Sequence, residues 1–303
     1  MMNFADRDSG LMGQQSLSDH ARSTAELNES DIEAIRALAY REAGSAKRRV
    51  YALRHGGERY MVKRSAPGRS LPRALGGALL VRFLAGHWPR LGPLRLGEAD
   101  QLHYEAARLR ALRDRDQPVP EVILVSDDHL IMQDVGPPLT QIMRSLDASG
   151  QADLACRVAA ELADFHRQGH WHGGAQLRNH TQWNDDLYRI DFEEPLDQTM
   201  TLPARQAMDL MLLVHSATAI KAFEGNQKRA LCCRLLNHYL EQAPPQAVLE
   251  VLRRGHVIKR RLKAMLGWAR RWTGKDLERI WLTTEAVETV LPRLAADRQS
   301  SAS

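Results

Sequence analysis

The chain has 303 residues, 44 % of them hydrophobic and 26 % charged, with 42 Lys and Arg against 37 Asp and Glu for a net charge of +5. That composition suits a globular protein with a substantial core and excludes fibrous and acidic disordered classes. Three cysteines, two of them adjacent (Cys156, Cys232, Cys233), give neither a disulfide framework nor a metal-ligand spacing, so reduced buried thiols are expected.

Residues 1–30 are polar, carry Phe4 as their one aromatic residue and lack an apolar signal core, which reads as a disordered leader. Ser30-Asp31-Ile32-Glu33 then opens a helix with a cap. Val50 to Arg54 and Arg59 to Lys63 flank His55-Gly56-Gly57-Glu58, a strand, a Gly-Gly turn and a second strand. Leu102 to Leu112 is a helix carrying Glu105. Val122 to Val125, Ser126 to His129 and Leu130 to Gly136 form another strand, turn and strand, closed by Pro137-Pro138, which cannot continue a sheet. From Ala152 to Gln168, apolar residues at Leu154, Val158, Leu162 and Phe165 recur at helical spacing and lead into His170-Trp171-His172.

The central part carries most information. His172-Gly173-Gly174-Ala175-Gln176-Leu177-Arg178-Asn179 is followed, twelve residues after Asn179, by Asp191-Phe192-Glu193. Between them, His180 to Trp183 and Leu187 to Ile190 surround Asn184-Asp185-Asp186, a hairpin pattern that brings Asn179 and Asp191 to one end. A side-chain amide and a carboxylate so placed can both ligate Mg²⁺ while its other positions bind phosphate. Taken singly, Asn179 reads as a turn residue and Asp191 as a surface carboxylate; the intervening hairpin joins them. Ala204 to Ile220 is a nearly apolar, buried helix in which Asp209 needs hydrogen-bond donors. Between Val251 and Lys275 lie nine Lys or Arg and no Asp or Glu, interleaved with Met265, Leu266, Trp268 and Trp272. That stretch is either a basic amphipathic helix for an anionic membrane surface or glycolipid, or the solvated face of a packed helix. Nucleic acid is the least supported partner, because no recognition motif is present. Residues 297–303 read as a disordered tail. No apolar run of about eighteen residues exists to cross a bilayer, and the expected location is the cytoplasm, with peripheral contact at the inner membrane face if the basic stretch binds lipid.

Over roughly residues 40–240 these motifs resemble the catalytic loop H-x-D-x-x-x-x-N and metal motif D-F-G of the protein-kinase-like fold, and the chain is similar in this to the lipopolysaccharide (Kdo/WaaP-type) kinase family. The resemblance implies an α+β fold of two lobes, a small β-rich lobe with the hinge over 31–136 and a helical lobe with the basic region over 137–296. It implies ATP and Mg²⁺ as ligands. Lys63 would contact the α- and β-phosphates and pair with Glu105. Met132 would line the adenine pocket, although core packing explains a Met equally, and backbone groups of Gln133 to Val135 would face the adenine edge. Asn179 and Asp191 would hold the metal, and Asp209 would accept hydrogen bonds from the loop backbone. The segment Gly44 to Val50 stands where a phosphate-covering loop belongs, with one glycine and with Lys47, Arg48 and Arg49; charge compensation and a solvated basic turn are both open. Gly174 stands where the resembling loop carries its catalytic Asp. His172, structural in that loop, is the substitute base in reach, whereas Gln176 would orient an acceptor but cannot take a proton. No long activation segment separates Asp191 from Asp209, which favours a small-molecule or glycan acceptor. Two functions follow: a divergent sugar or lipopolysaccharide-core kinase, or a nucleotide-binding pseudokinase acting as a regulator or partner.

Overall fold

The computed structural model describes residues 27–44, 48–65, 98–255 and 275–300. Most of the expected leader, the loop residues Ser45, Ala46 and Lys47, and the basic stretch containing Lys259, Arg260, Arg261 and Lys263 lie outside them.

The first helix, α1 (Glu29–Ala43), starts earlier than its sequence signal. Asn28, not Ser30, is the cap: its side chain accepts from the Asp31 N–H at 2.9 Å while Asp31 accepts from the Asn28 N–H at 3.3 Å. This is a reciprocal capping box built with Asp in place of Glu. Strands β1 (Val50–His55) and β2 (Glu58–Arg64) are joined by Gly56 and Gly57 at φ 60° and 87°, the left-handed pair that a two-residue hairpin turn demands. Helix α2 (Glu98–Arg113) follows, then β3 (Val122–Val125) and β4 (His129–Gln133). The four strands form one antiparallel sheet in the order β1-β2-β4-β3.

Period-two alternation splits this sheet between two cores. Tyr60, Val62 and Ile131 pack with Leu53 against Ile35 and Ala39 of α1. Leu130 and Met132 point the other way, into a larger core shared with Leu102, Ala106 and Leu109 of α2 and with the helical lobe. Lys63 follows Val62 in β2 and so lies on the face of Met61, toward the cleft between lobes.

Beyond the sheet the chain is mainly helical: α3 (Leu139–Ile142), α4 (Ala148–Arg167), a 3₁₀ turn (Leu177–Asn179), the β5–β6 hairpin (His180–Trp183, Asp186–Arg189), α5 (Leu202–Ala217), α6 (Gly225–Glu241) and α7 (Lys275–Ser300). Asp147 caps α4 through the Gly150 N–H. Helix α5 enters with Pro in its first turn and buries Leu210, Met211, Leu213 and Val214 completely. Each such side chain contributes up to about 1.5–3 kcal/mol. Helix α7 runs through Ser300, so the first residues of the expected tail, from Asp297, are helical. No helix among the described residues is long and apolar enough to cross a membrane.

One glycine fixes how the lobes join. Gly136 lies at φ +86°, and a Cβ there would sit 2.3 Å from the carbonyl oxygen of Gln182. The linker after β4 therefore runs against β5, where Pro138 bridges Thr181. The whole is the two-lobed α+β arrangement of the protein-kinase-like fold, with a small antiparallel sheet above a helical lobe.

Candidate active site

The sheet, α2 and the β5–β6 hairpin converge on Lys63. Its Nζ donates to Glu105 at 2.7 Å and to Asp191 at 2.6 Å, and lies 3.0 Å from Glu193. Three separate segments thus meet at one ammonium that is only 6 % exposed. Burial alone would lower the Lys63 pKa; Glu105, Asp191 and Glu193 outweigh it and hold the ammonium charged. Burial pushes the Glu105 carboxyl up, with Lys63 opposing. Burial also pushes Asp191 up, but Lys63, helped by Arg49 and Arg178, overcomes it and holds that carboxyl below its usual range.

Glu105 does a second job: its other oxygen accepts the N–H of Phe192 at 3.2 Å, tying α2 to the metal motif. Asp191 lies at φ +71°, a left-handed conformation that Asp tolerates better than most residues but that still stores strain. Its carboxylate is 38 % exposed and lines the cleft. Asn179 is held by its backbone, whose carbonyl accepts from Ile190 at 3.0 Å, and by its amide, which donates to the Gly174 carbonyl at 2.8 Å. The amide oxygen makes no hydrogen bond among the described residues. Glu105, Asp191 and Glu193, which share the Lys63 ammonium, each offer an oxygen within 4.8 Å of the others, a grouping that could hold a metal ion.

The loop around Gly174 is braced from below and from the side. Asp209 of α5 accepts the N–H groups of His172 at 2.5 Å and Gly173 at 2.7 Å, which supplies the donors a buried carboxylate needs. Gln206, one turn earlier, donates to the carbonyls of His166 and His170. Arg108 of α2 donates to the carbonyls of Trp171 and His172, with its guanidinium 3.7 Å from the Trp171 ring centroid. His172 is wholly buried, stacks on Phe192 at 4.4 Å and accepts the Gly174 N–H on Nδ1. Burial drives its pKa down to about 3. A group so enclosed and so weakly basic is a poor substitute for a missing catalytic base, and its geometry is that of a support for the loop. Gln176 acts through its backbone, its carbonyl accepting from Asn179 and from His180 Nδ1.

The cleft beside Lys63 is a cavity of about 320 Å³ lined by Met61, Met132, Gln133, Asp134, Val135 and Pro138 at the hinge, and by Asn179, Thr181 and Asp191 opposite. The N–H groups of Gln133 and Asp134 are committed to Glu121 and Arg59, so Val135 is the hinge residue whose N–H has no backbone partner among the described residues. Two buried acceptors in this lining, Gln133 Oε1 and Thr181 Oγ1, also lack partners.

Several of these residues had no role in the sequence reading. Glu193 stands where the resembling metal motif has Gly, and that substitution was its one available signal. Its ion pair with Arg49 at 3.1 Å closes the β1 side of the cleft. Arg108 and Gln206 have no local signature, since each acts on a loop more than thirty residues away.

No family model and no curated protein matches the chain. Among solved structures, it is similar to the ADP-bound aminoglycoside phosphotransferase APH(2'')-Ib at 13 % identity and a TM-score of 0.37, over 84 % of this chain and 98 % of that one.

Proposed function

We propose that the cleft binds Mg²⁺-ATP and that the chain transfers the γ-phosphoryl group to a hydroxyl of a small molecule, a sugar of a lipopolysaccharide-type glycan or glycolipid being the acceptor class we favour. The observation that carries this reading is the convergence on Lys63 of Glu105 from α2 and Asp191 from the hairpin, at 2.7 and 2.6 Å. A structural ion pair needs one partner. Three carboxylates on one ammonium, facing a cavity, leave negative charge that a divalent cation would neutralise. The lining also suits a nucleotide: unpartnered Gln133 Oε1 and the Val135 N–H stand at the hinge, Thr181 Oγ1 faces them from β5, and the cations and carboxylates stand at the other end. Asn179 and Asp191 would hold Mg²⁺, with Glu193 in reach of the same ion. When bound, that ion draws negative charge from the phosphate oxygens.

In the transfer, the acceptor oxygen bonds to the γ-phosphorus as the bond from that phosphorus to its bridging oxygen breaks, and ADP leaves with the electron pair. With Gly174 in the base position, the hydroxyl proton passes to water or to a non-bridging phosphoryl oxygen. Lys63 and Arg178 stabilise charge on the phosphates, and Asn179 and Asp191 fix position, the terms that dominate this reaction. The chain therefore acts as a slow kinase.

Gly174 also favours a second reading, a pseudokinase that binds nucleotide and acts as a regulator. Incubation with labelled ATP and cell-envelope glycolipids separates the two. Label should pass to a glycolipid and vanish in Asp191→Asn; nucleotide binding without transfer to any acceptor would select the regulator. Presenting the acceptors in anionic vesicles and in neutral micelles tests whether residues 251–275 bring the chain to membranes, since vesicle-dependent transfer should weaken as salt screens the basic charges.

A further inference from the structure

A second and larger cavity, about 520 Å³, adjoins the nucleotide cleft. The two share their dividing elements. Pro138 and Asn179 line the cleft, whereas Thr140 and Met143 after that proline, and Leu177 two residues before that asparagine, line the second cavity. Its remaining wall comes from Arg144, Gln151, Ser216 and the segment from Ala219 to Ala222 that leaves α5. The lining contains two cations, Arg144 and Lys221, and no carboxylate. Both cations are exposed, and neither has an ion-pair partner among the described residues. Three other surface arginines of this lobe are matched: Arg157 with Glu161, Arg167 with Asp164 and Arg234 with Asp153. A third cation, Arg178, stands between Leu177 and Asn179, and its charge is felt at the Asp191 carboxylate. Cations thus lead from the cavity to the metal end of the cleft. Met143, Leu177 and Ile220 give an apolar surface of the kind on which a sugar ring packs, with Thr140 and Gln151 as hydrogen-bonding groups.

We propose that this cavity is the acceptor site and that it selects a hydroxyl-bearing anion, a phosphorylated or carboxylated sugar, free or as a lipid headgroup. The proposal rests on the phosphoryl-transfer reading above. Arg144 and Lys221 hold the anionic group by charge-assisted hydrogen bonds, and the free hydroxyl lies toward Arg178. That hydroxyl oxygen gains the γ-phosphoryl group and ADP departs, the proton leaving as described for the reaction.

The test uses the full chain saturated with Mg²⁺-ADP. Glucose 6-phosphate and glucose are titrated by calorimetry, and neutral phosphatidylcholine vesicles with and without phosphatidylinositol phosphate are tested by co-sedimentation. The anionic sugar should bind and glucose should not. The double substitution R144Q/K221Q should weaken binding at least about tenfold, as expected for loss of hydrogen bonds between charged groups, while Arg157→Gln, on a matched arginine, should not. Binding of the phosphoinositide vesicles in place of the free sugar phosphate supports the site and assigns it to a headgroup. Equal affinity for glucose and its phosphate, no binding by any anionic probe, or an unaffected double variant overturns the proposal. Mg²⁺-ADP binding, measured alongside, keeps the two readings apart: an anion that binds to a chain without nucleotide affinity retains the anion site and removes its role as acceptor site.

Discussion

Gly173 and Gly174 are neighbours with different reasons to be glycine. Gly173 lies at φ +95°, and a Cβ there would sit 2.9 Å from Trp171 Cζ3. Gly174 is outside the left-handed region, and its Cβ would meet Asn179 Nδ2 at 3.3 Å and His172 Nδ1 at 3.9 Å. A side chain at 174 therefore needs a shift of a few tenths of an ångström, and no backbone strain opposes it. Gly174→Asp should raise single-turnover phosphoryl transfer by roughly 10²–10⁴-fold, the range for a positioned general base. A rate unchanged or lowered in a folded variant would mean that proton removal does not limit this site. The same residues show what the sequence could disclose. Lys63, Glu105, Asn179 and Asp191 were legible because each falls at a fixed place in an ordered series of strand, helix, loop and hairpin. Arg49 was legible at the covering loop, but its pairing with Glu193 was not, because a pair 144 positions apart leaves no local pattern. Nor could the sequence tell which of two adjacent glycines was required by φ.

The hairpins were the clearest elements to read, since Gly56-Gly57 and Asn184-Asp185 are residues that accept positive φ, and the chain places both pairs there. Helix starts were less legible. Asn28 and Asp31 cap α1 by a reciprocal bond that a search for Glu overlooks, and α4 begins at Ala148 because Asp147 caps it, ahead of the first apolar repeat. The linker after β4 shows a further limit: the sequence pattern carries the strand through Gly136, yet the strand ends at Gln133 and the glycine lets the backbone pass Gln182. Gly136→Ala places a methyl 2.3 Å from that carbonyl in a conformation alanine resists, so the linker must move. Urea unfolding should show a loss of about 1–3 kcal/mol. Nucleotide affinity should fall with it, because Val135 and Asn179 are joined through this contact. Wild-type stability in the variant would show that the linker does not lie on β5.

At the scale of the whole molecule, α2 links the lobes: Glu105 meets Lys63 and the Phe192 N–H, and Arg108 meets the loop carbonyls. Packing that close buries imidazoles. His172 and His180 are fully enclosed, and burial lowers both from the ordinary 6.5 to about 3. In the unfolded chain they take up protons below about pH 6.5, whereas in the folded chain they stay neutral until about pH 3. Their contribution is therefore complete above pH 6.5 and is lost progressively as pH falls, at about 1.4 kcal/mol per pH unit for each. Buried His166 shifts in the same direction. The urea midpoint should drop between pH 6.5 and 5, and His180→Gln should reduce the slope by about one proton; an unchanged slope would place that imidazole in contact with water. Thermal unfolding with ATP, with and without Mg²⁺, decides whether the Lys63 cluster is a Mg²⁺-nucleotide site. At a hundredfold excess over Kd the folded state gains about 2.7 kcal/mol by linkage, so Tm should rise with Mg²⁺-ATP and return to its starting value on chelation with EDTA. Asp191→Asn, which keeps a residue tolerant of the φ of +71° while removing the charge, should abolish most of that rise. A rise of equal size in Asp191→Asn, or none in the wild type, would mean that the Lys63 cluster does not bind the metal-nucleotide complex.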